Sequence, residues 1–162
     1  MRTLLVLRHG KSDWDATFGT DEQRPLAKRG KDAAKRIGVF ITNAGVEPDI
    51  CLTSPAVRAR DTLDLARKAG HWEASVHENR LLYEGGVSSI INLVRETDRR
   101  VSTVLLAGHQ PTSSNLVSSL IGGGRIRFPT AGVACIQFTT AWSDIGPNTG
   151  ELRWFVIPNM LE

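Results

Sequence analysis

The chain has 162 residues, a formal net charge of +3 and 41% hydrophobic residues, which is typical of one globular domain spanning 1–162. Five basic residues lie between Lys28 and Arg36, but Asp32 interrupts them. We interpret this stretch as the solvated face of a helix, and we expect no nucleic-acid partner.

The cysteines and the apolar segments indicate in which cellular compartment the protein is expected. Cys51 and Cys135 both fall in predicted strands, and two separated thiols favour a reducing compartment over a disulfide framework or a zinc site. The apolar run that follows Arg2 and Thr3 is too short for the core of a signal peptide, and no segment approaches a membrane span. We therefore expect a cytoplasmic monomer with no membrane partner.

The first half of the chain alternates short apolar runs with amphipathic segments. Four consecutive apolar residues, Leu4 to Leu7, are typical of a buried parallel strand. A long polar stretch follows, and loops of such length are often functional. Apolar residues then recur at helical spacing until Gly45, which ends a helix. The predicted elements are a strand over 3–8, a loop over 10–25, a helix from Leu26 to Ala44, a strand over 49–53 and a helix over 55–69.

The second half continues this alternation but ends in two strands. The predicted elements are a short strand near 75–77, a helix around 87–94, a strand over 102–107, a helix over 113–121 and strands near 132–139 and 151–157. Gly122 to Gly124 stop the last helix, and a turn at 146–150 joins the final strands. We predict an α/β fold: a single three-layer domain with a mixed, mostly parallel sheet, helices on both faces and a C-terminal antiparallel hairpin.

Two of the predicted strands end in a histidine. The first strand leads into Arg8, His9 and Gly10, and the strand over 102–107 leads into His109. In open α/β sheets, ligands bind outside the carboxyl ends of the strands. An imidazole beside a permanently charged guanidinium suits an anion at that position, and phosphate before other anions.

The strand over 49–53 is followed by a helix that supplies another cation. Ser54 is a suitable N-cap and Pro55 a suitable first helical residue, so Arg58 falls in the first turn near amide groups that favour anions. Arg60 lies about 200° around the helix from Arg58, so both side chains cannot face one pocket. If the three strands are parallel neighbours, Arg58 converges with the residues at the other strand ends, namely Arg8, His9 and His109.

These residue types suit phosphoryl transfer. A neutral histidine nitrogen can attack phosphorus, guanidinium groups can bind and neutralise the phosphoryl oxygens, and a second histidine can donate a hydrogen bond. No metal or other cofactor is required. A proton donor for the leaving group remains to be assigned. Glu84 precedes two glycines at a predicted loop, and its apolar neighbours would raise its pKa, unless it is an ordinary exposed glutamate. Asp13 and Asp15 are the alternatives.

Together, these motifs resemble the histidine phosphatase superfamily, also called phosphoglycerate mutase-like, over nearly the whole chain. The matching motifs are Arg8-His9-Gly10, Ser54-Pro55 with Arg58, Ala59 and Thr62, and Gly108-His109 with Pro111. The resemblance implies that His9 is the nucleophile and that Arg8, Arg58 and His109 form the phosphate pocket. The segment that ends in Glu84 looks like the one that carries the acid of this family.

Within the superfamily, the chain resembles the small SixA-type phosphohistidine phosphatases. The matching residues are Lys11-Ser12-Asp13-Trp14 and Arg24-Pro25-Leu26. Only 25 residues separate Arg58 from Glu84, which leaves no room for the large capping insertion of mutases and sugar phosphatases. The resemblance implies a shallow site that is open to a phosphorylated protein side chain. Ser12 is a candidate for a phosphate contact, and Lys11 is expected at the rim.

Three functions follow from these observations. The first is a metal-independent phosphatase that removes phosphate from phosphohistidine in proteins through a phosphohistidine intermediate on His9. The second is a phosphatase for small phosphomonoesters, or a mutase, which the short chain disfavours. The third is a non-catalytic phosphate-binding module, which would have no need of a nucleophile. The expected partner is therefore a phosphorylated protein or a small phosphorylated molecule.

Overall fold

The computed structural model describes residues 1–161, and a six-stranded sheet forms its centre. The strands are β1 (Arg2–Arg8), β2 (Ile50–Thr53), β3 (Ser75–Glu78), β4 (Thr103–Gly108), β5 (Val133–Phe138) and β6 (Glu151–Val156). The helices are α1 (Lys28–Asn43), α2 (Val57–Gly70), α3 (Leu81–Glu84), α4 (Val87–Arg95) and α5 (Thr112–Ile121). Short 3₁₀ helices cover Asp21–Gln23, Trp142–Asp144 and Pro158–Met160.

The sheet order is β3-β2-β4-β1-β5-β6, and its strands run in both directions. Strand β4 pairs in parallel with β1 and with β2, and β2 pairs in parallel with β3. Strand β5 is antiparallel to both β1 and β6. This arrangement confirms the predicted mixed, mostly parallel sheet with a C-terminal hairpin. Because β1, β2 and β4 are adjacent and parallel, their carboxyl ends lie side by side.

Helices cover both faces of this sheet, as the apolar pattern of β1 requires. Leu4 and Val6 pack on the side of α4 and α5, whereas Leu5 and Leu7 pack on the side of α1 and α2. Successive side chains of a strand point to opposite faces, so a continuous apolar run is buried only when both faces are covered. The predicted three-layer domain is therefore confirmed. No helix in the described part of the chain is both long and apolar enough to cross a bilayer.

Three predicted helix starts were wrong by one or two residues. Helix α1 begins at Lys28 rather than at Leu26. Helix α2 begins at Val57 with Ala56 as its N-cap, so Ser54 and Pro55 lie before the helix. The Ser54 hydroxyl accepts a hydrogen bond from the Ala56 amide at 3.1 Å, which makes a turn before the helix rather than a cap on it. Helix α5 begins at Thr112, one residue before the predicted start at 113, with Pro111 as its N-cap.

The chain after β1 lies directly against the first turn of α1. A Cβ added to Gly10 would lie 2.8 Å from the carbonyl oxygen of Gly30, and one added to Gly30 would lie 2.2 Å from that of Lys11. The Ala27 amide donates a hydrogen bond to the same Lys11 carbonyl oxygen at 2.9 Å. Glycine at both positions thus permits the backbone approach that fixes the segment after His9.

Candidate active site

A cleft of about 470 Å³ opens where β1, β2 and β4 end. The structure brings together in it five of the six side chains chosen from the sequence: Arg8, His9, Ser12, Arg58 and His109. The remaining lining residues are Lys11, Trp14, Asp21, Arg24, Tyr83, Gln110 and Thr130. The parallel strands therefore converge at these residues as the sequence predicted.

His9 is buried, with 7% of its surface exposed, and its Nδ1 lies 2.7 Å from the carbonyl oxygen of Gly10. Because a carbonyl oxygen can only accept, Nδ1–H is the donor and Nε2 keeps its lone pair. The pKa of His9 is lowered to about 3, mainly by burial; the bond to Gly10 opposes the shift, and the neighbouring His109, Arg58 and Arg8 add to it. His9 is therefore neutral near pH 7, the state in which it can attack phosphorus.

His109 faces His9 across the cleft, with their ring centroids 5.2 Å apart. Its Nε2 lies 2.8 Å from the hydroxyl oxygen of Ser54, and the ring of Tyr83 packs edge-on against it with centroids 5.4 Å apart. Burial, followed by the charge of Arg58, lowers the pKa of His109 to about 4. His109 is therefore also neutral near pH 7, and Ser54 and Tyr83 fix the position of its ring.

The two arginines supply positive charge that the protein only partly compensates. Arg58 is 5% exposed; its Nη1 donates to the Asp21 carbonyl oxygen at 2.7 Å and its Nη2 to Asp21 Oδ2 at 3.0 Å. Arg8 Nη1 donates to the Phe128 carbonyl oxygen at 2.8 Å. The Nε atoms of both arginines are buried and have no partner among the described residues. Buried guanidinium groups require a counter-charge, and a phosphoryl group in the cleft would supply one.

Thr62 joins the segment that follows β1 to the helix that carries Arg58. Its hydroxyl accepts a hydrogen bond from the Gly10 amide at 2.9 Å and donates one to the Arg58 carbonyl oxygen at 2.6 Å. The side chain is fully buried. Thr62 therefore holds His9 and Arg58 in register without contacting the cleft.

Arg60 points away from this site, as its helical phase predicted. Its side chain is about half exposed, and its Nη1 lies 3.4 Å from Glu78 Oε1. His71 and His77, expected at the surface, are exposed as well. No group of three His, Cys, Asp or Glu side chains within residues 1–161 is arranged to hold a metal ion.

Asp21 is a residue of the cleft that the sequence reasoning missed. Its Oδ2 accepts hydrogen bonds from Arg58 and, at 2.8 Å, from the Tyr83 hydroxyl, and its Oδ1 accepts one from Arg24. Partial burial acts in the opposite direction, but the hydrogen bonds from Tyr83, Arg58 and Arg24 lower the pKa of Asp21 to about 2. Asp21 is thus ionised near pH 7 and carries no proton to donate. The nearby Arg24-Pro25-Leu26 motif was the only sequence signal in this part of the loop.

The side chains of Ser12 and Trp14 both contact Arg24. The Ser12 hydroxyl accepts a hydrogen bond from Arg24 Nε at 3.0 Å, so its oxygen is already engaged. The Arg24 guanidinium lies over the Trp14 ring, 3.6 Å from its centroid, although Trp14 is 65% exposed. Lys11 is exposed at the rim, as expected.

The structure does not bring Glu84 into the cleft. Its side chain is 60% exposed, and its Oε1 accepts a hydrogen bond from Arg80 Nε at 2.9 Å. The apolar setting expected for Glu84 is absent, because α3 turns Leu82 into the core and presents Tyr83 to the cleft. The alternatives, Asp13 and Asp15, do not line the cleft either. Glu84 is therefore corrected from a candidate acid to a surface residue.

Comparison with known proteins identifies the family. Residues 4–97 match the model of the histidine phosphatase superfamily (branch 1). The chain belongs to this superfamily. The residues that carried the resemblance in the first half of the sequence, including Arg8-His9-Gly10 and Arg58, lie within the matched segment.

Solved structures and a curated relative agree with this assignment. The protein histidine phosphatase SixA complexed with tungstate has a TM-score of 0.86 and 26% identity, covering 99% of each chain. A protein described as SixA from Nakamurella multipartitia has a TM-score of 0.86 and 28% identity, covering 97% of this chain and 96% of its own. An uncharacterised protein of Mycobacterium tuberculosis is 31% identical, covering 94% of this chain and 99% of its own. The chain is accordingly a SixA-type histidine phosphatase, and a hydrolase.

Proposed function

We propose that this phosphatase removes the phosphoryl group from phosphohistidine in proteins, through a phosphohistidine intermediate on His9 and without a metal ion. The observation that carries the proposal is the setting of His9. Its neutral imidazole has Nδ1–H bound to Gly10, and it lies in an open cleft with Arg8, Arg58 and His109. A bare phosphate-binding module would need the cations but not a nucleophile prepared in this way.

In the first half-reaction, the Nε2 lone pair of His9 forms a bond to phosphorus. The P–N bond of the substrate breaks, and its electron pair goes to the departing imidazole, which takes a proton from solvent. Arg8 and Arg58 neutralise the phosphoryl oxygens, and His109 completes the hydrogen bonds to them. In the second half-reaction, water attacks phosphorus, the new P–N bond breaks, its electron pair returns to His9 Nε2, and a water proton passes to solvent.

The hydrogen bond from His9 to Gly10 serves both half-reactions. While Nδ1 keeps its proton, the phosphorylated ring is an imidazolium, which is a good leaving group when water attacks. The carbonyl oxygen of Gly10, 2.7 Å from Nδ1, stabilises that positive charge. The same contact fixes the ring so that Nε2 faces the cleft.

The states and positions of Asp21 and Glu84 favour a phosphoramidate substrate over an alkyl phosphoester substrate. An alkoxide leaving group needs a proton in the transition state, an effect typically worth about 10²–10⁴-fold. Hydrogen bonding keeps the pKa of Asp21 at about 2, and Glu84 lies outside the cleft. An imidazole leaving group does not require such a donor, so phosphohistidine is the substrate that this set of residues serves best.

The shape of the cleft also supports a protein substrate. The exposed Trp14 and the partly exposed Tyr83 both line it, so the site is open to solvent. The chain between α2 and α4 contains only the edge strand β3 and the single turn of α3, so it provides no covering domain. A phosphorylated side chain on a folded surface can reach a site of this kind.

The test compares a phosphohistidine peptide with a phosphoserine peptide of the same sequence. We expect kcat/KM to be higher for the phosphohistidine peptide by about 10²-fold or more, since the phosphoester lacks a proton donor. His9→Ala should abolish turnover, and acid-labile label should accumulate on the wild-type protein but not on His9→Ala. His77→Ala, an exposed histidine, is the matched control. Equal rates on both peptides, or substantial turnover by His9→Ala, would contradict the proposal.

A further inference from the structure

A second cavity, of about 220 Å³, adjoins the catalytic cleft. Lys11 and Thr130 line both spaces, so the two share a wall. The second cavity also contains Arg29 and Arg36 from α1, and we call it the basic pocket, defined by Lys11, Arg29 and Arg36. A ligand group in the basic pocket would therefore be a neighbour of a phosphoryl group bound at His9.

The charge of the basic pocket is unbalanced. Three cationic side chains line it and no described carboxylate does. The adjacent Lys28, by contrast, pairs with Asp32 at 2.9 Å on the outer face of α1. Lys11 and Arg29 form no ion pair with the described residues 1–161, whereas Arg24 and Arg58 of the cleft both pair with Asp21. An uncompensated group of cations in a concave site favours binding of an anion.

The walls of the basic pocket are held in place by contacts between chain segments. The close approach of Gly30 to the Lys11 backbone fixes the first turn of α1 against the segment after His9. On the opposite side, Arg36 Nη1 donates to the carbonyl oxygens of Pro158 and Leu161 at 3.5 and 3.3 Å. The three cations, whose side chains are exposed, therefore extend from backbone segments whose relative positions are already set.

We propose that the basic pocket binds an acidic side chain of the substrate polypeptide, next to the phosphohistidine in the catalytic cleft. The inference rests on the proposed function, because it assigns a specificity site for a protein substrate. A carboxylate suits the arginine guanidinium groups, which bind it through two parallel hydrogen bonds. The pocket would select substrates by adding affinity rather than by changing the chemical step.

The experiment uses phosphohistidine peptides that differ only in the residues flanking the phosphohistidine. One series places an aspartate or glutamate at each flanking position in turn, and its partner series carries asparagine or glutamine there. At the flanking position whose side chain reaches the basic pocket, we expect kcat/KM to be about 5- to 30-fold higher for the acidic peptide than for its neutral partner. One or two well-placed ion pairs would have an effect of this size. The gain should lie in KM, and it should shrink in 0.5 M salt.

Arg29→Ala tests the residue assignment, because Arg29 lines the basic pocket and not the catalytic cleft. We expect it to lower the preference for the acidic peptide about 5-fold and to leave hydrolysis of free phosphohistidine unchanged. Arg29→Lys should restore part of the preference. Lys28→Ala is the matched control, since it removes a cation from the same turn that already pairs with Asp32.

The outcomes separate this inference from the proposed function. Equal kcat/KM for acidic and neutral peptides at every flanking position, with robust phosphohistidine hydrolysis, would contradict the binding of an acidic side chain in the basic pocket. The proposed phosphohistidine phosphatase activity would not be affected. A preference that survives Arg29→Ala but falls with Lys28→Ala would also contradict binding in the basic pocket. Failure to hydrolyse any phosphohistidine peptide, while phosphoserine peptides are cleaved, would overturn the proposed function itself. A neighbouring phosphoserine in place of the acidic residue tests whether a second phosphate is accepted equally.

Discussion

Lowering the pH should destabilise the fold through the two histidines of the catalytic cleft. Burial holds the pKa of His9 at about 3 and that of His109 at about 4, against an ordinary value near 6.5. Below pH 6.5 the unfolded chain therefore takes up protons that the native state does not. The contribution of these two histidines to the free energy of unfolding is then constant above about pH 7 and falls as the pH decreases from 6.5 towards 4.

The expected loss can be calculated from these two pKa values. Each proton bound only by the unfolded state costs about 1.4 kcal/mol per pH unit below 6.5. Between pH 7 and pH 5 this amounts to about 2 kcal/mol for His9 and a similar amount for His109, or about 4 kcal/mol together. The whole stability of a domain is typically about 5–15 kcal/mol, so the loss should be large. Asp21, whose pKa is about 2, loses its contribution only below about pH 4 and does not affect this range.

Urea unfolding at pH 7, 6 and 5 measures this loss directly. His9→Ala removes one of the two titrating groups, so its stability should change by about 2 kcal/mol over the same range. The comparison uses the change with pH, so the cavity left by His9→Ala does not enter. His77→Ala, which alters an exposed histidine, should keep the wild-type pH dependence. A wild-type change below about 1 kcal/mol, or an unchanged dependence in His9→Ala, would show that these imidazoles are not held neutral by burial.

Further predictions concern the charges of the site. Arg58→Ala should lower kcat/KM about 10²–10³-fold, as expected for a lost preorganised charge, whereas Arg60→Ala on the same helix should stay within about twofold; comparable losses in both would refute the assignment of Arg58. Glu84→Gln should change hydrolysis of phosphohistidine and phosphoserine peptides by less than about twofold, because Glu84 binds Arg80 at the surface; a selective loss on phosphoserine would restore it as the acid. Dialysis against EDTA should leave the rate unchanged, and loss of activity with rescue by one metal would contradict the mechanism.

The strand ends were predictable because they depend on local patterns. A four-residue apolar run is typical of a strand with both faces buried, and the polar residues after it then fall at the carboxyl edge. Arg8, His9 and His109 followed from that rule alone. Arg58 needed one further step, the rotation of about 100° per residue in a helix, which a start two residues later does not alter. The errors in the helix boundaries therefore did not change the predicted placement of these four residues.

Asp21 and Glu84 could not be placed because they depend on packing between distant segments. Asp21 is held in the cleft by hydrogen bonds that include those from Arg58, 37 residues later, and from Tyr83. Glu84 lies on a four-residue helix, too short for a periodic pattern, whose rotation is set by burial of Leu82. The apolar neighbours that suggested a raised pKa for Glu84 are neighbours in sequence, but Leu82 faces the core and Glu84 faces Arg80.

The same burial that prepares the nucleophile also limits what the site can cleave. Burial, together with the positive charges of Arg58 and Arg8, keeps the imidazole of His9 unprotonated. Hydrogen bonds from Tyr83, Arg58 and Arg24 hold Asp21 ionised, so the carboxylate that lines the cleft has no proton to give. A site with a neutral nucleophile, abundant positive charge and no proton donor depends on the substrate to bring a good leaving group. Phosphohistidine, the substrate we propose, meets that condition. Because its leaving group carries little information about the protein that bears it, the selection of a phosphoprotein would depend on contacts beside the cleft.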